Sequence, residues 1–181
     1  MGRLKMVAMV AVMALAGALS PRVWAGEKHD MSNMPAKKMP AEFEKLKSLV
    51  GTWTGKAKMH GDKEEDMVVT YELTAAGSAL VEKFNPGTPG EMVSVYNVEG
   101  GKVRLKHYCS MGNAPVMTLK KATDKSLNFE MKGVNGISSA KEMHMHGLTI
   151  TWTDNDHIAA EWVSYNKGKA EPCHAFNFTR K

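Results

Sequence analysis

Cysteine is scarce in this chain of 181 residues, which has two, Cys109 and Cys173. That count excludes a disulfide-knit scaffold and leaves one bridge to consider. The strand phases below place the two on different strands and faces, which argues against it, since a disulfide needs Cα atoms within about 7 Å. Also missing are Gly-x-Ser-x-Gly, His-Glu-x-x-His, a phosphate-cradling glycine loop and Cys-x-x-Cys-His, so no familiar hydrolase, zinc-protease, nucleotide or covalent-haem signature is present. Beyond the first 20 residues no segment is apolar enough to cross a bilayer. There is no concentrated basic stripe, so a nucleic-acid partner is not expected.

What is there begins with an exported start. Arg3 and Lys5 precede an apolar run, Met6 to Leu19, that is too short to span a membrane, and Val23-Trp24-Ala25 offers a small-residue cleavage site. Together these predict a signal peptide over 1–25, a cut after Ala25, and a secreted or periplasmic protein without a stable membrane anchor. Arg3, Lys5 and Arg22 are three of the 24 basic residues, and none of the 19 acidic ones lies in this segment, so the mature balance is 21 against 19, or +2. The chain's overall basicity is thus largely a targeting signal. Residues 26–40, "GEKHDMSNMPAKKMP", have no periodicity and read as a flexible leader in which Met31, Met34 and Met39 lie near His29.

Residues 41–181 read as a single domain. Helical spacing occurs once, with Phe43, Leu46, Leu49 and Val50 on one face of a short helix starting near Pro40. After Gly51 the period becomes two. Ten short segments follow, from Trp53–Met59 and Met67–Leu73 through Val103–Met111 to Glu142–Trp152, His157–Tyr165 and Cys173–Thr179, separated by turn signals such as "NPGTPG", "EGGK" and "NKGK". This rhythm argues an antiparallel barrel or sandwich with hairpin connections.

The short helix runs into "LVGTWTG", with Gly51-Thr52-Trp53 opening the first strand, and Arg180 ends the last strand in "FNFTRK". These motifs resemble the calycin superfamily of lipocalins, fatty-acid-binding proteins and haem-binding nitrobindin-like barrels, and the region 42–181 is similar to bacterial lipocalin-like domains. The resemblance implies an all-β, antiparallel up-and-down barrel of about ten strands with a short N-terminal helix. It also implies a habit of enclosing small ligands, and a barrel-closing pair in which Trp53 plugs one end and Arg180 packs across it.

Side-chain phase nominates the site. A two-residue turn at Gly100-Gly101 pairs Val98 with Val103, Tyr96 with Leu105, Ser94 with His107 and Met92 with Cys109. Lys102, Arg104 and Lys106 then face solvent, so His107 and Cys109 point inward. The same parity groups His144 and His146 with Leu148, Ile150 and Trp152, unless a bulge at Gly147 reverses them. A turn at Lys167-Gly168 would place Glu161 and His174 inside as a pair, whereas a loop at Asp154–Asp156 would instead place Ile158, Ala160 and Trp162 there; the sequence leaves both open.

His107, Cys109, His144, His146 and Met92 therefore form the candidate metal set, with donors that suit copper, zinc or a haem iron. Trp53, Tyr71, Tyr96, Phe129, Met131, Glu161 and His174 are the candidate cavity lining. The expectation is a small-ligand-binding barrel whose ligand is a transition metal or haem. The alternatives are a carrier of a small apolar molecule and an enzyme using a Glu/His pair; oligomeric state is not encoded in any of these signals. Protein recovered from the periplasm or medium should begin at Gly26 by intact mass, and a mature species retaining Met6 to Leu19 would refute the signal reading.

Overall fold

The computed structural model describes residues 38–58 and 63–181, apart from the side chains of residues 172–174. The expected signal segment, the leader methionines Met31 and Met34 and the side chain of His174 lie outside these described residues. One short helix, α1 (Ala41–Lys47), precedes ten strands: β1 (Gly51–Ala57), β2 (Glu65–Thr74), β3 (Ala79–Phe84), β4 (Met92–Glu99), β5 (Lys102–Tyr108), β6 (Val116–Ala122), β7 (Ser126–Met131), β8 (His144–Trp152), β9 (His157–Asn166) and β10 (Lys169–Arg180). Each strand pairs antiparallel with its sequence neighbours, and β1 pairs with β10, so the sheet closes into a barrel. The period-two pattern suits this architecture: one residue in two faces the core, and closure leaves no sheet edge to cover.

Turn chemistry fixes the register where the sequence is most explicit. Gly100 and Gly101 both have positive φ (57° and 76°), as a type I′ hairpin turn demands. The pairs Val98 with Val103, Tyr96 with Leu105 and Ser94 with His107 follow as expected. At the other nominated turn, Lys167 and Gly168 take positive φ as well, and Asn166 pairs with Lys169.

Two irregularities then change the phase of whole strands. In β10 the register skips between Pro172 and His174, so Glu161 faces Ala175 and His174 faces Trp162. Ile158 and Ala160 are core residues and Glu161 is exposed. The placement of Glu161 in the cavity is therefore corrected: a bulge at Cys173 breaks the pairing that a regular hairpin would have given. In β8 the register skips between Met145 and Gly147, which sets Met145 opposite Ser164 and His144 opposite Tyr165. Ser164 shares the inward phase of Ala160, and Met145 packs on the core. The inward orientation expected of His144 and His146 is corrected in turn: the extra residue at His146 turns both histidines onto the outer wall.

The closed end of the barrel is built by α1. Phe43, Leu46 and Leu49 are fully buried, whereas Val50, past the helix, is largely exposed. Trp53 is also fully buried and donates its indole N–H to Leu49 O at 2.7 Å. Trp53 and Arg180 are direct cross-strand partners, and the guanidinium lies 4.2 Å from the indole ring centroid. Arg180 also donates to Val50 O (2.9 Å), Ser48 O (2.8 Å) and Asn155 O (3.1 Å), tying the helix exit, the β8–β9 loop and the last strand together. Trp53→Ala should cost about 3 to 5 kcal/mol through lost burial, and Arg180→Ala about 1 to 3 kcal/mol through lost charge-assisted bonds. Denaturant unfolding of the two variants measures both, and an unchanged midpoint for Trp53→Ala would refute the closing role.

Candidate functional site

The opposite end of the barrel holds the polar chemistry. It is framed by the end of β3, the start of β4, the end of β5, the start of β6 and the end of β7. Inward positions here carry sulfur repeatedly: Met67, Met117 and Met131 are buried, and Met92 packs against the same core. The Cys109 thiol is free and its Sγ lies 3.9 Å from Met92 Sδ, the next inward pair after Ser94 and His107. Beside them a recess of about 480 Å³ opens between Met67, Phe84, Asn85, Met92 and Ser110.

Below this sulfur-rich mouth a buried hydrogen-bonded chain crosses three strands. Glu82, on β3 between inward Leu80 and Phe84, is 6% exposed. Tyr96 donates its hydroxyl to Glu82 Oε2 at 2.7 Å, and Ser94 donates to Oε1 at 3.1 Å. Ser94 Oγ in turn lies 3.0 Å from His107 Nδ1. Burial raises the Glu82 carboxyl above its ordinary range, and hydrogen bonds from Tyr96, Tyr71 and Ser94 oppose that rise. Burial likewise pushes the Tyr71 and Tyr96 phenols well up, with the nearby Glu82 charge adding to it.

Proton counting sets the state of the histidine. When Glu82 is ionised, Ser94 has donated its only proton to the carboxylate, so Nδ1 of His107 must be the N–H donor to Ser94. Burial pushes this imidazole down to about 4, so it is neutral near pH 7, and with Glu82 ionised its Nε2 bears the lone pair. Nε2 is buried and has no hydrogen-bond partner among the described residues. The ring packs against Trp162 with centroids 4.7 Å apart. A buried acceptor held in one tautomer from its far side is the arrangement that metal-ligating histidines use.

The remaining nominated residues divide. Tyr71, Tyr96, Phe129 and Met131, nominated as cavity lining, are buried in the packed core, with Tyr96 edge-on to Phe129 at 5.7 Å. Trp53 is interior but belongs to the closed end. His144 and His146 lie outside the barrel wall, with His144 Nε2 3.1 Å from His146 Nδ1 and the His146 ring stacked on Tyr165. Among the described residues, no group of three or more His, Cys, Asp and Glu side chains converges as a metal cage. Sequence reasoning missed Glu82. The signal was available in "ALVEKF", where Glu82 shares its phase with Leu80 and Phe84.

No family model and no curated protein matches the chain by sequence. Among solved structures, the chain is similar to a protein of unknown function from the DUF3598 family of Nostoc punctiforme, at 16% identity over 75% of this chain with a TM-score of 0.43. This chain spans 48% of that protein's length. It is also similar to Rv2717c from M. tuberculosis, at 14% identity over 80% of this chain and 99% of that one, with a TM-score of 0.50. At such identities the likeness to Rv2717c shows the fold alone.

His107 makes stability depend on pH with a definite sign. Its folded value, about 4, lies below the ordinary 6.5, so the unfolded chain takes up the proton first as pH falls. Its contribution is intact above pH 6.5 and is lost progressively down to about pH 4, by roughly 3 kcal/mol in all. His107→Gln should flatten that part of the stability profile, measured by denaturant unfolding at stepped pH. An equal slope in both proteins would refute the buried neutral imidazole.

Proposed function

We propose that this chain is an exported, calycin-like binding barrel that takes a metal centre at its open end through the Nε2 lone pair of His107. The observation that carries the reading is that buried, unpartnered nitrogen, held from behind by Ser94 and Glu82. Soft donors lie at the same end of the barrel: Met92 and Cys109 follow Ser94 and His107 along the same inward row, and Met67, Met117 and Met131 are buried at that end. One imidazole with thioether and thiol sulfur suits copper(I), which accepts few and soft ligands, better than zinc, which favours a fuller set of nitrogen, oxygen and thiolate donors. A haem iron would also accept the His107 nitrogen, which would hold it from the protein side.

The apolar walls of the recess at that end, Phe84, Met67 and Met92, favour a second reading as a carrier of a small apolar molecule. An enzyme built on Glu161 and His174 has less support, since Glu161 is exposed and registers with Ala175.

Copper(I), supplied against a chromophoric chelator under reducing conditions, should bind the purified chain, and His107→Ala should weaken it at least tenfold while Met92→Ala weakens it less. A Soret band on haem addition that is lost in His107→Ala would assign the haem form of the site. Unchanged copper and haem binding in His107→Ala would overturn the reading. An organic compound in a solvent extract, found by mass spectrometry in wild type and His107→Ala alike, would assign the carrier instead.

A further inference from the structure

The outer wall at the same end carries a second arrangement of donors, independent of the interior. His144 is 1% exposed, and its Nδ1 lies 2.6 Å from Glu142 O. A backbone carbonyl only accepts, so Nδ1 bears the proton and Nε2 of the neutral ring bears the lone pair. That lone pair meets His146 Nδ1 at 3.1 Å. The carbonyl behind His144 is itself fixed. Asn113 Nδ2 donates to Glu142 Oε1 (2.7 Å) and to Met143 O (2.9 Å), and Ser138 N donates to Glu142 Oε2 (2.6 Å). His146 is held on its flat side by Tyr165, with ring centroids 3.7 Å apart and planes 13° apart.

We propose that His144 Nε2 and His146 Nδ1 form a two-histidine chelate on the outer wall for a borderline divalent cation of the zinc or copper(II) class. Bonds from imidazole to such ions are about 2.0 to 2.1 Å, so the observed 3.1 Å between nitrogens subtends about 100° at the metal, between the octahedral and tetrahedral angles. The ring that must move is His146, whose terminal torsion has a broad well and whose edge borders a groove lined by Asn128, Glu130, Thr149 and Tyr165. No net proton is released when both rings are neutral: His146 gives up its Nδ1 proton to solvent and takes one from solvent on Nε2. His144 keeps its Nδ1 proton on Glu142 O, the outer hydrogen bond that orients a metal-bound histidine. The remaining coordination positions face the groove, whose lining includes the Glu130 carboxylate, itself paired with Lys120.

Zinc(II) alone, titrated into the untagged full chain against a chromophoric chelator, is the probe. One ion per chain is expected, weakened at least tenfold in His146→Ala and in His144→Ala. His146 is partly exposed, so His146→Ala keeps the test decisive if the buried His144 variant fails to fold. Met143→Ala, with an exposed thioether, should bind as wild type does. His107→Ala should also retain the zinc, which separates this site from the interior one. Zinc lost in His107→Ala but kept in His146→Ala would overturn the proposal, as would no binding at micromolar zinc.

Discussion

Pairing of the first strand with the last decides whether this chain is a barrel at all. Nine of the ten strand pairs join sequence neighbours and form locally, whereas β1 with β10 must bring residues 53 and 180 together. Such a contact repays its loop-closure entropy only after the strands between are in place. Trp53 and Arg180 concentrate the reward at that seam. The indole fills the closed end, the guanidinium covers it, and the guanidinium N–H groups reach the carbonyls of Ser48, Val50 and Asn155. Gly55, further along the same seam, has no room for a Cβ, which would stand 2.3 Å from Asn177 O. Close approach of the two backbones therefore depends on a missing side chain as well as on two large ones.

A closed wall makes buried polarity costly, and the interior shows how it is tolerated. A carboxylate inside a barrel loses its hydration, and single hydrogen bonds rarely replace that loss. Glu82 has three hydroxyl donors, from Tyr71, Tyr96 and Ser94. His107 ends the chain, and its Nε2 has no partner among the described residues. The hydrogen bonds between Glu82 and Ser94 and between Ser94 and His107 thus set the orientation of the imidazole across three strands. An apolar residue in place of Glu82 would free Ser94 to donate toward His107 and remove the constraint on its tautomer.

Legibility in the sequence follows the location of the bulges. The Gly100-Gly101 hairpin could be read residue by residue because its turn has chemistry of its own, two positive φ angles in a row, and alternation continued from it without interruption to His107. The Trp53 and Arg180 pair was legible through resemblance, since nothing in the spacing of two residues so far apart marks them as partners. His144 and His146 were grouped correctly with each other and placed on the wrong face. Inserting one residue leaves composition and local alternation intact while shifting every side chain beyond it. Glu82 escaped for the opposite reason: its phase was readable, but a carboxylate in an apolar row looks like an error until its three donors are seen together.

The two bulges that defeated the phase argument act on one place. That of β8 falls opposite Val163 and Ser164, and that of β10 opposite Trp162 and Val163, so β9 is flanked on both sides at the same level. Bulges sharpen strand twist locally and re-aim side chains. Here the inward side chain at that level is Trp162, whose ring meets the His107 imidazole at 4.7 Å, while on the outer face Tyr165 comes under His146. A regular β8 would have put both β8 histidines into the sulfur-lined interior with His107. The extra residue instead keeps one imidazole inside, against Trp162, and sets the other two against Tyr165 and the groove. Separation of the nitrogen donors into an inner and an outer set is thus a consequence of strand register, fixed before any ligand is present.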